Sequence, residues 1–143
     1  MPTVRLTRTY RFSASHRLHV AHFSEEANDR IFGRCNNPHG HGHNYTVAVT
    51  VEGPVDPATG MVVPPEEMDS LVEREVVSQY HDRYLNFDVP EFAVTVSTTE
   101  NLAVEMRERL LAAWPASFPA LAHLRVQETK RNSVELPVIL EVV

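Results

Sequence analysis

Two runs of alternating apolar and polar residues, set well apart in the chain, restrict what it can fold into more than any other feature. Residues 4–12, VRLTRTYRF, put Val4, Leu6, Tyr10 and Phe12 on one side and Arg5, Thr7 and Arg11 on the other, the period-two signature of a half-buried strand. Residues 43–52, HNYTVAVTVE, repeat the pattern with Tyr45, Val47, Val49 and Val51, then stop at Gly53-Pro54. Two such runs pair as long antiparallel strands with one face turned toward a core.

The segments that can cover that face follow in the chain. After the turn-rich VDPATGMVVP, Pro64-Pro65 opens a helix whose Met68, Leu71, Val72 and Val76 recur at helical spacing, with an end expected near residues 79–84. A second helix begins in STTENLAVEMRERLLAAW. There Ser97 and Glu100 have the spacing of a capping box, Leu102, Ala103, Met106 and Leu110 form the inner face, and Pro115 stops it. LRVQET (124–129) and VELPVILEV (134–142) read as two closing strands, Pro137 marking the last as an edge or a bulge. The order β-β-α-α-β-β implies an α+β fold: a four-stranded antiparallel sheet with two helices on one face. The bare face is expected to find its cover on another subunit.

Composition sets the scale. A chain of 143 residues, 43% hydrophobic and 22% charged, without repeats or linker-like tracts, reads as one domain over 1–143. It is large enough for a core but short for a deep private active site, which a cleft shared between copies would solve. The net charge of −6 and the scattered Lys and Arg form no basic stripe, which argues against nucleic acid as the main partner. MPTVRLTRTYRF lacks the apolar run of a secretory signal, and no later segment approaches the ~20 apolar residues of a membrane span, so a soluble cytoplasmic protein with no membrane partner is expected.

Chemistry is concentrated in residues 33–46, GRCNNPHGHGHNYT. If the second strand starts near His41, then His41 and His43 project from one face and can share a metal ion, with Gly40 and Gly42 keeping the backbone close. His16, in FSASHRL at the end of the first strand, lies where an antiparallel neighbour can deliver a third imidazole. Three histidines and an open position form the pattern of a catalytic zinc site. Cys35, the only cysteine, has no partner within the chain for a disulfide. It reads as a ligand, as a base or nucleophile with a lowered pKa beside a cation, or as a buried apolar residue. His19 and His22 read as solvated loop residues, His39 as ambiguous, and His123 as a lone histidine before a strand.

Two further spots carry chemistry-bearing pairs. In QYHDRYLN, His81 adjoins Asp82, a pair suited to proton transfer if a bend lets the two face each other; otherwise it is a helix C-terminus with a histidine near the negative dipole end. Glu128, in VQETKRN, stands at a strand end, where a carboxylate can accept two N–H bonds from a flat heterocycle or simply face solvent.

Taken together, FSASHRL, FGRCNNPHGHGHNY, DPATGMV, VPEF, VSTTENLAV and VQET resemble the 6-pyruvoyltetrahydropterin synthase family, in order, from about residue 10 to residue 132. The resemblance implies the T-fold, assembled as trimers whose sheets close into a barrel, two trimers stacking to a homohexamer with active sites between subunits. It implies that His16, His41 and His43 bind a zinc ion (Zn2+), that Cys35 is catalytic, that Glu128 anchors a pterin ring, and that Thr98, Thr99 and Glu100 line the pterin pocket. The implied reaction converts 7,8-dihydroneopterin triphosphate to 6-pyruvoyltetrahydropterin with elimination of triphosphate, Cys35 taking protons and a His/Asp pair returning them. Arg17 or Arg34 is a candidate for the triphosphate.

In one place the chain departs from the family, which reads Asp-His where this sequence reads His81-Asp82 or else carries an extra residue. The nearest alternative activity is that of the related 6-carboxytetrahydropterin synthase of queuosine-type biosynthesis, whose cysteine precedes the ligand pair as Cys-x3-His-Gly-His. That string also occurs here from Cys35 to His41, but HGHNY points to the longer Cys-x5-His-Gly-His register. The reversed pair keeps open a third reading, a zinc- and pterin-binding homologue with impaired turnover.

Overall fold

The computed structural model describes residues 2–138, and in it the two alternating runs form β1 (Thr3–His16) and β2 (His41–Pro54). They run antiparallel from Thr3 opposite Pro54 to His16 opposite His41. The alternation sorts their side chains as expected. Tyr10, Phe12, Ala14 and His16 of β1 are buried on the same face as Tyr45, Val47, Val49 and Val51 of β2.

A layer of helices that follows β2 in the chain covers that face. α1 (Glu25–Phe32) lies between the first two strands. α2 (Pro65–Val72) starts at its expected proline and continues through a π-helical stretch, Glu73–Val77, into α3 (Ser78–Tyr80). The wider π turn leaves both Val76 and Val77 buried, beside Met68, Leu71 and Val72. β3 (Arg83–Tyr84) and the one-turn α4 (Leu85–Asp88) follow, then α5 (Thr99–Ala113) with Leu102, Ala103, Met106 and Leu110 buried. β4 (Ala120–Thr129) and β5 (Asn132–Pro137) complete a sheet of order β3-β1-β2-β4-β5. Phe12 stacks on Tyr45 with ring centroids 5.0 Å apart and meets Tyr80 at 5.6 Å, joining sheet to helix. Each such buried side chain contributes roughly 1.5–3 kcal/mol.

Four expectations are corrected. The sheet has five strands rather than four and is not purely antiparallel, because β3 runs parallel beside Ala14 and Ser15. It is drawn there by Ser13, whose carbonyl accepts the Asp82 N–H at 2.7 Å while its own N–H donates to His81 Nδ1 at 3.1 Å. The helices number more than two. α1 was invisible to apolar periodicity because its one buried residue is Asn28, whose amide serves the backbone of Val20, Phe23 and Ser24. The cap of α5 is Thr98, not Ser97: its side chain accepts from Asn101 N at 3.2 Å, so Ser97 and Glu100 form no capping box. β4 starts earlier than residue 124, so His123 lies inside it, and β5 ends at Pro137 as an edge strand; the rest of the expected 134–142 strand falls outside the described residues.

Candidate active site

One end of the sheet gathers the reactive side chains. The β1–β2 register sets His16 opposite His41 and Ala14 opposite His43, so the three histidines share the core-facing side. His16 Nε2 lies 3.1 Å from His41 Nε2, and one nitrogen from each of the three rings falls within 4.8 Å of the others. Three ligands about 2.1 Å from a tetrahedral zinc stand about 3.4 Å apart, so small ring rotations bring these to coordination. His16 is fully buried and its Nδ1 donates to the Ser97 carbonyl at 2.6 Å, which leaves Nε2 unprotonated and facing the other rings. His43 Nε2 is buried without a hydrogen-bond partner among the described residues, an uncommon state for a ring nitrogen that has no ligand to serve.

Charge is held off His16 and His41. Burial, opposed by the Ser97 carbonyl and assisted by His41, brings the His16 pKa down to about 4. Burial and then His43 lower that of His41. Uncharged imidazoles are the form that binds metal, and an all-nitrogen set suits zinc better than the oxygen-seeking Mg2+ or Ca2+. The residues present therefore fit zinc.

Cys35 sits on a 3-10 turn, Gly33–Asn36, pinned by its carbonyl to the Leu18 N–H at 2.7 Å. It is partly buried and lines a cavity of about 990 Å³ together with His41, His43, Arg34, Asn37, Thr129 and Arg131. Burial, and then the Glu128 carboxylate, hold the thiol above its ordinary pKa. The lowered value expected beside a cation thus depends on the cation; the protein groups alone act the other way. Glu128 reaches the same cluster from the end of β4. Its Oε1 is 3.4 Å from His43 Nε2, its Oε2 is 4.0 Å from His16 Nε2, and it accepts a hydrogen bond from the buried hydroxyl of Thr99. Thr99 is thus brought to the site, Thr98 is occupied as the helix cap, and Glu100 is exposed.

The left-handed turn before His41 is obligatory. Gly40 has φ 73°, and a Cβ there would lie 2.7 Å from the Tyr84 ring and 3.1 Å from the His16 carbonyl. Gly42 is under no such constraint, with only the Ala14 carbonyl near, at 3.8 Å. His39 is exposed and outside the cluster, which leaves the pair His41 and His43 in the longer register after Cys35. His19 bonds the Asn36 side chain, 2.8 Å from its Oδ1, and is only half-exposed rather than free in solvent.

The His81-Asp82 pair has the bend it needs. His81 is extended at the end of α3, Asp82 takes φ 57°, and His81 Nε2 comes within 3.4 Å of Asp82 Oδ2. Both are exposed. Asp82 lines a cleft on the other side of β1 and β2, with Ser13, Ser15, Asn44 and Tyr84, whereas Cys35 lines the cavity described above; His43 borders both. Within one chain the pair and the thiol therefore do not share a cavity.

Three participants escaped the sequence reading. Ser97 acts through its carbonyl, which no side-chain pattern reports. Asn86 clasps the backbone next to His16, accepting from Arg17 N and donating to Arg17 O, each at 2.8 Å. Arg131 lines the Cys35 cavity, and the basic pair after Glu128 in ETKRN was its only signal. Of the two arginines considered for an anion, Arg17 is engaged with the Asn36 carbonyl at 3.1 Å and faces a different cavity, while Arg34 borders that of Cys35.

These features define an α+β domain with three convergent imidazoles, a thiol and a carboxylate at one end of its sheet. Residues 5–137 match the family model described as 6-pyruvoyl tetrahydropterin synthase, and the chain belongs to that family. It is 46% identical over 129 residues to the 6-pyruvoyl tetrahydrobiopterin synthase of Poecilia reticulata, covering 90% of this chain and 86% of the relative. To that of Homo sapiens it is 45% identical over 130 residues, covering 91% and 88%. The structure of Caenorhabditis elegans 6-pyruvoyl tetrahydropterin synthase superposes with a TM-score of 0.89 at 38% identity, covering 96% of each chain, so the T-fold is shared.

Proposed function

We propose that this chain is a zinc-dependent 6-pyruvoyltetrahydropterin synthase, converting 7,8-dihydroneopterin triphosphate to 6-pyruvoyltetrahydropterin with elimination of triphosphate. The convergence of His16, His41 and His43 beside the Cys35 cavity, in a member of this family, is the observation that carries it. The exposed position of His39 supports the pyruvoyl-type register over that of the 6-carboxytetrahydropterin synthases.

In this reading the three imidazoles hold zinc, which when bound supplies Lewis-acid polarisation of the substrate's side-chain hydroxyls. Glu128, oriented by Thr99, accepts N–H bonds from the pterin ring and fixes its depth, with Thr98 and Glu100 on the adjoining turn. Cys35 as thiolate takes protons from the side-chain carbons. His81 and Asp82 return protons; their cleft is separate within one chain, so they act on the site of a neighbouring subunit. The outer edge of β1 from Thr3 to Phe12, which has no strand beside it among the described residues, and the polar outer face of the sheet support the barrel and hexamer that such sharing requires. Among the described residues no helix is long and apolar enough to cross a membrane, which is compatible with a cytoplasmic enzyme.

The test is to incubate the zinc-loaded protein with dihydroneopterin triphosphate and identify the product by mass. The pyruvoyl pterin supports this reading, the carboxy pterin replaces it with the alternative activity, and zinc and pterin binding without product leaves a homologue with impaired turnover. Native mass spectrometry reads the hexamer in the same sample.

A further inference from the structure

His16 stands on two supports, its own backbone at the end of β1 and the Ser97 carbonyl on its Nδ1, and these belong to segments far apart in sequence. Besides one long contact from the Ser97 hydroxyl itself, the side chain that ties them together is that of Asn86. Asn86, on α4, accepts from Arg17 N at 2.8 Å and donates to Arg17 O at 2.8 Å, using a primary amide's donor and acceptor against the polar groups of one residue. Its Oδ1 also lies 3.2 Å from Ser97 Oγ, and that hydroxyl reaches the Arg17 carbonyl at 3.3 Å. Ser97 is buried, and the fully buried Leu85 next to Asn86 anchors the short helix.

We propose that Asn86 is a positioning residue for the metal centre, locking the end of β1 to the segment before α5 so that His16 keeps one tautomer and one direction. The proposal rests on the reading of the three imidazoles as zinc ligands. Asn86 touches none of those imidazoles; it holds the residue after His16 and the residue whose carbonyl His16 meets. No other side chain among those hydrogen-bonded here contacts both segments through a donor and an acceptor. Replacement by alanine removes every bond of Asn86 and leaves only the 3.3 Å contact of the Ser97 hydroxyl with the Arg17 carbonyl, and replacement by aspartate keeps an acceptor for Arg17 N but sets a carboxylate against the Arg17 carbonyl.

The experiment measures zinc affinity of the full chain by competition with a chromophoric chelator, for wild type, Asn86→Ala, Asn86→Asp and Asp69→Asn. The last breaks a remote network, in which Asp69 binds Arg8 at 2.6 Å and Tyr10 at 2.7 Å, and serves as the reference for plain destabilisation. Both Asn86 variants are expected to bind zinc about 10- to 100-fold more weakly, the cost typical of disturbing the partner of a ligating histidine, while Asp69→Asn lowers the melting temperature and keeps wild-type affinity. Ring nitrogen NMR of the metal-free proteins gives a second readout: one His16 tautomer in wild type, a mixture in Asn86→Ala. Wild-type zinc affinity in both Asn86 variants, or an unchanged His16 tautomer, overturns the proposal even if melting temperatures fall. A wild type that takes up no zinc overturns the metal reading itself, a failure seen before any variant is compared.

Discussion

The Nδ1 of His16 and the carbonyl oxygen of Ser97 stand 2.6 Å apart, a side chain at the end of one strand meeting the backbone just before a helix. Full burial keeps His16 neutral against the opposing pull of this contact, with a pKa of about 4 against an ordinary 6.5. Between those values the unfolded chain binds a proton that the folded chain does not. Stability of the metal-free protein therefore falls as pH drops from 6.5 toward 4, this contribution is complete below 4, and its size is roughly 3 kcal/mol. His41 acts in the same direction. Urea unfolding across that range should show the slope, and His16→Gln should flatten it; equal slopes in the two proteins would contradict the assignment.

Cys35 is partly buried and unpaired, and its side chain supports no element of the core. Cys35→Ala should leave zinc content and melting temperature close to wild type while lowering kcat about 10²- to 10⁴-fold, the range for losing a general base. Metal analysis and a product assay on one preparation separate the two effects, and wild-type turnover in the variant rules the thiol out as base.

Gly40 has no room for a side chain and holds a left-handed φ. Gly40→Ala should cost more than about 1–2 kcal/mol, the left-handed penalty alone, because the Tyr84 ring and the His16 carbonyl must also shift. Chemical denaturation measures the loss. Gly42→Ala, in open space by comparison, should be milder; the reverse order would refute this account of the turn.

Arg34 and Arg131 border the cavity of Cys35 and have no carboxylate partner among the described residues. If the substrate carries a triphosphate, Arg34→Ala and Arg131→Ala should each raise KM about tenfold, as expected for a hydrogen bond to a charged group, with kcat less affected. The wild-type KM should rise with salt, and the variants should respond less. An unchanged KM in both variants sends the anion elsewhere.

What the sequence made legible follows from where the information lay. β1 and β2 are readable because their side chains alternate through a buried face, and pairing them brings His16 to His41 without further assumption. Gly40 is readable because only glycine tolerates its backbone. The parts that stayed hidden act through backbone or polar groups. α1 buries an asparagine rather than an apolar stripe, β3 is only Arg83 and Tyr84, and Ser97 contributes a carbonyl. The cap of α5 was misplaced by one residue because VSTTENL offers a serine and two threonines in a row, and only the geometry selects Thr98. The reversed order of His81 and Asp82 was visible; that both residues also brace Ser13 was not.

That brace gives the outer edge of β1 a built-in end stop. From Thr3 to Phe12 the edge has no strand beside it among the described residues, while at Ala14 and Ser15 it is occupied by β3, and both polar groups of Ser13 are engaged by His81 and Asp82. A strand added from another molecule can slide along this berth only until it meets Arg83 and Tyr84. Since a slip of one residue would turn every side chain of the incoming strand to the wrong face, a fixed stop selects the alignment as well as the site of contact.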